Sequence, residues 1–80
     1  MLSQEEIKEF EAVQLFMERA FLVVPKLQPT LENLQLVGAI CKKIEGIPLA
    51  IELAASRMSI LTLEQMEERL ASLLTLLTAG

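Results

Sequence analysis

Glu45-Gly46-Ile47-Pro48-Leu49-Ala50-Ile51-Glu52-Leu53-Ala54-Ala55 sets a Gly-x-Pro corner in front of a segment that is apolar almost all round. Glycine suits the left-handed position that ends a helix, because it has no Cβ to clash. Proline suits the first turn of the next helix, where its missing N–H would have had no partner. Ile47 precedes a proline and is therefore biased to an extended backbone. One helix stops here and another starts at once.

Working outward, the residues after the corner predict a helix from about Pro48 to Ser59. Leu49, Ala50, Ile51, Leu53, Ala54, Ala55 and Met58 leave only a narrow polar stripe at Glu52, Ser56 and Ser59. A helix this apolar is expected at the centre of a bundle, and its alanines permit close helix approach. Before the corner, Leu34, Val37, Ile40, Cys41 and Ile44 form one stripe, with Thr30 as N-cap and Gly46 as terminator. Cys41 lies on that stripe and reads as a buried, inert thiol, since a reactive one wants an exposed electropositive setting.

Two further helices complete the chain. Ser3-Gln4-Glu5-Glu6 has capping-box spacing, and Ile7, Phe10, Val13, Phe16, Met17, Ala20 and Phe21 follow at helical intervals. The residues leave open whether this helix begins near Ser3, or near Glu9 with residues 1–8 as a linker. Val23-Val24-Pro25 stops it, and Lys26 to Pro29 is a connecting loop. Thr62-Leu63-Glu64-Gln65 repeats the capping-box spacing, and Met66, Leu70, Leu73, Leu74 and Leu77 give the last helix its apolar face. Its end, from Leu73 to Gly80, reads as helix or as a frayed tail. No hairpin turn or alternating strand pattern appears. The expected fold is all-α, a compact four-helix, bundle-like domain without a sheet, filling residues 1–80 as one unit.

Composition narrows the function. Of 80 residues, 52% are hydrophobic and 22% charged, a heavy apolar load for so small a domain. It fits either a tightly packed bundle or a piece whose outer face packs on another domain, and it leaves a weak homodimer through exposed apolar surface open. The net charge is −4 and every acid is a glutamate, scattered as on solvated helix faces. Lys42-Lys43 is the one basic pair, placed where a helix C-terminus favours cations. Nothing resembles a phosphate-tracking stripe, so direct nucleic-acid binding is not expected. The fourth helix sets Glu64, Glu67 and Glu68 against Arg69, which argues against a DNA-reading helix. One cysteine forms no internal disulfide, which fits a reducing, cytoplasmic compartment. No signal peptide or membrane-length apolar run is present.

Chemistry on the chain itself is sparse. There is no histidine, and a single cysteine cannot build a zinc cluster. None of the three glycines belongs to a phosphate loop. Glu5-Glu6 and Glu67-Glu68 are adjacent pairs that diverge by about 100° on a helix, so neither forms a catalytic dyad. Arg19 and Arg57 read as surface ion-pair residues or as charges aimed at a partner domain. No catalytic or metal-binding residue is expected, and no enzyme activity of the chain alone. The start of the third helix is the remaining possibility: its free N–H groups and partial positive charge favour anions, and Pro48 offers a flat apolar neighbour to a purine. Taken alone, the corner reads first as helix–helix architecture and second as a ligand contact.

The sequence also resembles a family. Ala12-Val13-Gln14-Leu15-Phe16-Met17-Glu18-Arg19-Ala20 looks like the "AVQLFxERA" stretch of bacterial STAND-class signal-transduction ATPases, the AfsR- and LuxR-type regulators related to NB-ARC proteins. Ile40-Cys41-Lys42-Lys43-Ile44 with Glu45 to Ala55 resembles their "ICxxLDGLPLAIELAA". Leu61 to Met66 with Arg69-Leu70 resembles "LSPEQLxxRL", and Leu76 to Gly80 resembles "LLTGG". The match covers about residues 9–80 in order and spacing. It departs at Glu45, where Asp is more common, and at Ile47, where Leu is usual; both changes are conservative.

The resemblance implies the small helical lid that follows a P-loop nucleotide-binding domain, with Gly46, Ile47 and Pro48 lying against ADP or ATP. The phosphate loop, the Mg-binding acid and the catalytic groups would belong to that neighbouring domain, so the chain needs no cofactor in isolation. The partners it implies are the P-loop domain and a winged-helix domain of the parent chain. A reading from a different class is a freestanding helical protein–protein interaction module whose corner is only architecture.

Overall fold

The computed structural model describes the backbone of residues 1–79 and the side chains of residues 1–72. Four α-helices and one 3-10 turn account for nearly all of it: α1 (Gln4–Val23), α2 (Leu31–Lys43), α3 (Pro48–Ser56), the 3-10 turn (Arg57–Ser59) and α4 (Leu63–Ala79). Among the described residues there is no strand. Gly80, the last residue of the stretch beginning at Leu76, lies outside them.

Each helix start follows from local chemistry. At α1 the Ser3 hydroxyl accepts the Glu6 N–H at 3.1 Å while the Glu6 carboxylate accepts the Ser3 N–H at 3.3 Å. This reciprocal pair satisfies two otherwise orphaned donors and starts the helix at Gln4 rather than at Glu9. Thr30 caps α2 by accepting the Asn33 N–H at 3.1 Å. Thr62 and Gln65 repeat the reciprocal box at α4, at 3.1 and 3.0 Å. α3 differs, because Ile47 has no side chain able to cap it and Pro48 begins the helix instead.

Packing runs through α1 and α2. α1 contacts both α2 and α3, and α2 also contacts α4. Phe16, Val37, Ile40 and Ile51 are the largest fully buried side chains, joined by Ala12, Met17, Ala20, Cys41, Ala55, Leu63 and Met66. No buried side-chain polar atom among the described residues lacks a partner. The fully buried alanines Ala20 and Ala55 carry no bulk between α1 and α3 and let the backbones approach.

Two sequence expectations about packing are corrected. α3 is a flank and not the centre of the bundle. Ile51 and Ala55 are buried, but Leu49 and Leu53 are 67% and 59% exposed. A nearly all-round apolar helix is central only if neighbours surround it, and α3 rests chiefly on α1. Ile7 and Phe10, on the predicted stripe of α1, are exposed as well. The reason is length. α1 has 20 residues and α3 has nine, so they rise about 30 Å and about 14 Å. The Arg19–Glu52 ion pair at 3.6 Å marks where α3 lies, beside the second half of α1. Every residue from 1 to 11 is exposed, and the buried residues of α1 all fall between 12 and 20.

Leu63 and Met66 bring α4 into the core, and Leu70 packs partly against it. The expected apolar face continues through Leu73, Leu74 and Leu77, whose side chains lie outside the described residues. Lys43 ties α4 to α2 by donating to Glu67 at 2.6 Å, an ion pair sheltered by partial burial of both side chains. Glu67 is thereby structural, and Glu68 is exposed.

Candidate functional site

Helix α2 ends in a Schellman arrangement whose details differ from expectation. Ile44 is the C-cap. The Glu45 N–H donates to the Lys42 carbonyl at 3.0 Å, and the Gly46 N–H donates to the Cys41 carbonyl at 2.9 Å. These two bonds define the motif, and the residue after the C-cap must be left-handed. That residue is Glu45, with φ of 58°, and Gly46 follows at 66°. The expected role of Gly46 as the terminating residue is therefore shared. Glu45 takes the position that glycine usually fills, where a side chain costs about 1–2 kcal/mol. Gly46 extends the left-handed stretch by one residue, and a Cβ there would meet nothing within 4 Å. The glycine is needed for its backbone angle and not for space.

Ile47 then takes an extended backbone, φ −67° and ψ 116°, as a residue before proline should. Its carbonyl accepts the Ile51 N–H at 2.9 Å and so starts α3. Gly46, Ile47 and Pro48 are all exposed. The three residues singled out from the sequence thus sit together on the surface, presented outward. The first turn of α3 carries no acidic residue and no side-chain cap. An uncapped helix start of this kind has free N–H groups and the positive end of the helix dipole, which favour an anion.

The surroundings of the corner were not foreseen. Gly46 and Pro48 form one edge of an open groove of about 1160 Å³, bounded by the first half of α1 and the second half of α2. Phe10, Val13, Leu34 and Gly38 are among its apolar lining residues. Glu5, Glu6, Glu9, Glu11 and Glu45 line it against Lys8 and Lys42. The groove is therefore acidic, and a phosphate placed within it would gain nothing from side-chain charge. An anion is favoured only at the mouth of α3. The signal was present in the sequence as glutamates one turn apart at Glu5 and Glu9, but their meeting with Glu45 depends on how α1 and α2 pair.

Other candidates resolve plainly. Cys41 is buried, and burial pushes its thiol up to about 11, leaving it protonated and unreactive at neutral pH. Arg19 pairs with Glu52 across the α1–α3 contact. Arg57 is exposed on the 3-10 turn. Among the described residues no three of His, Cys, Asp or Glu gather as a metal site, and no helix is long and apolar enough to cross a membrane.

Comparison with known proteins adds a coarse likeness. No protein-family model and no solved structure matches the chain. Over 70 residues, 88% of its length, the chain is 40% identical to the Mycobacterium tuberculosis protein named "Putative HTH-type transcriptional regulator Rv0890c" and to its Mycobacterium bovis counterpart. It is also 40% identical over 52 residues, 65% of the chain and 13% of the other protein, to "Uncharacterized protein Rv0894" of Mycobacterium tuberculosis. The chain spans only 8% of the length of the first two relatives, so it is similar to one short segment of proteins that bear a transcriptional-regulator name.

Proposed function

We propose that this helical domain is the lid of a STAND-type ATPase that regulates transcription in the cytoplasm, and that its Gly46-Ile47-Pro48 corner contacts an adenine nucleotide. The observation that carries the reading is the exposed corner itself: a rigid Gly-x-Pro turn that opens on an uncapped helix N-terminus. The ordered resemblance over residues 9–80 and the regulator-named relatives agree with it. The division of labour follows from chemistry. The acidic groove repels phosphate, so the phosphates and Mg belong to an adjoining P-loop domain, and the corner contributes apolar contact from Pro48 and backbone N–H groups from α3. A domain that packs on ADP in one state and is repositioned after exchange for ATP has the differential contact that a switch requires. Hydrolysis belongs to the P-loop domain, and this chain is not itself an enzyme.

The letters HTH in the relatives' names describe proteins of which this segment is 8%. They do not make α4 a recognition helix, since Glu64, Glu67 and Glu68 oppose DNA phosphates. A second reading, a protein–protein interaction module, draws on the exposed Ile47, Leu49, Leu53 and Ile60. A P-loop in the same reading frame separates the two. The direct test is Pro48→Ala in the full-length regulator carrying this segment, purified with ADP. Faster ADP release supports the lid, and an unchanged off-rate sinks it. The chain alone is expected to hydrolyse no ATP and to bind nucleotide very weakly.

A further inference from the structure

The groove beside the corner has a property that nucleotide contact leaves unused. Phe10, 66% exposed, lines it together with Val13 and Leu34. Glu5 and Glu9, one turn apart on α1, and Glu45 at the end of α2 belong to the same lining. The ion pairs of the described residues join Arg19 to Glu52 and Lys43 to Glu67, so none of these three glutamates is neutralised by Lys8 or Lys42. An exposed aromatic that shares a groove with carboxylates outside any ion pair is a surface without its complement.

We propose that this groove docks a basic amphipathic helix, one that places an apolar stripe on Phe10, Val13 and Leu34 and lysines or arginines against Glu5, Glu9 and Glu45. Charge complementarity selects this occupant. An excess of glutamates over lysines in the lining repels nucleic acid and anionic membrane surfaces, and it penalises a second acidic copy of this chain, whose net charge is −4. Shape agrees. The groove follows α1 from Leu2 to Leu15, a helical span of about 20 Å, which a partner helix of about 14 residues matches. Docking an apolar stripe into a groove is a common mode of helix recognition. The carboxylates act mainly on partner choice and association rate, and the apolar residues hold the complex. The proposal does not rest on the nucleotide reading.

The test titrates two synthetic 14-residue peptides into the isotope-labelled 80-residue chain and follows backbone amide resonances. Both peptides carry leucines at helical i, i+3 and i+7 spacing; one has lysine flanks and the other glutamate flanks. The lysine peptide is expected to bind more than about tenfold tighter than the glutamate peptide, with weakening as salt rises. Its shifts should map to residues 5–15, 34–38 and 45–46. Phe10→Ser should weaken it by about tenfold or more, and the triple change Glu5→Gln, Glu9→Gln, Glu45→Gln should remove most of its salt dependence. Circular dichroism checks that the variants keep their helicity. Equal binding of both peptides, no binding of either, or loss through Leu53→Ser on the outer face of α3 instead of Phe10→Ser would overturn the proposal. No nucleotide is present, so either result leaves the Pro48→Ala experiment independent.

Discussion

Phe16 and Phe10 stand six residues apart on α1, in one continuous helix begun by one capping box. Phe16 is fully buried, and Phe10 is 66% exposed. The ion pair between Arg19 and Glu52 joins the second half of the helix to α3, and every residue from 1 to 11 is exposed. The contrast shows that an apolar stripe marks a face able to be buried, while the length and placement of neighbouring elements decide how much of it is. In a domain of 80 residues the neighbours run out quickly. What is left over, the first half of α1 and the Gly46–Pro48 corner, is the surface with functional potential.

The largest effect expected from breaking this contrast is at Phe16. Phe16→Ala should cost about 3–5 kcal/mol by leaving a cavity among Val37, Ile40 and Ile51. Phe10→Ala should stay within about 0.5 kcal/mol. Urea unfolding followed by circular dichroism measures both, and similar losses at the two sites would contradict the burial difference. Next comes α3, where Ile51→Ala should cost about 2–5 kcal/mol and Leu53→Ala well under 1 kcal/mol. Near-equal losses would return α3 to the centre of the bundle.

Smaller effects sharpen the contrast at the helix ends. Thr62→Ala removes half of a reciprocal cap and should cost about 1 kcal/mol. Glu45→Gly should stabilise by about 1 kcal/mol, because it relieves a left-handed glutamate in the position glycine favours. A destabilised Glu45→Gly variant would show that the Glu45 side chain makes a contact that outweighs its strain. The smallest effect at neutral pH concerns Cys41. Its thiol pKa is raised by burial to about 11 from 9.0, so the folded state holds the proton more tightly than the unfolded chain. Stability is then full below pH 9 and falls as pH rises towards 11, where the unfolded thiol ionises first. Cys41→Ala should flatten that alkaline loss while leaving the neutral-pH slope unchanged, as read from melting temperatures across the range.

Much of this architecture was legible in the residues. Thr30 and Thr62 announced two helix starts and Ser3 offered one of two for α1, because a side-chain cap needs only a hydroxyl at one position and free N–H groups two or three residues on. Pro48 announced the fourth, and Ile47 before it could only be extended. The corner itself was readable for the same local reason. The role of Glu45 was not, since whether the left-handed residue is Glu45 or Gly46 depends on where the last α2 hydrogen bond closes. The acidic groove was not readable either. Glu5 and Glu9 are visible as neighbours, but Glu45 lies 36 residues from Glu9 and joins them in one groove lining only through the pairing of α1 with α2.

By itself, then, the sequence determined the helical content, the starts of the last three helices, and the presence of a rigid Gly46-Ile47-Pro48 turn. All of these depend on interactions within about four residues, where backbone hydrogen bonding and steric limits leave few choices. The tertiary structure alone decided that α3 lies at the flank, that Phe10 remains outside while Phe16 is sealed, and that the corner is exposed beside a groove lined by several glutamates. These outcomes depend on which surfaces meet and for how long, and periodicity along one helix carries no information about the length of its neighbour.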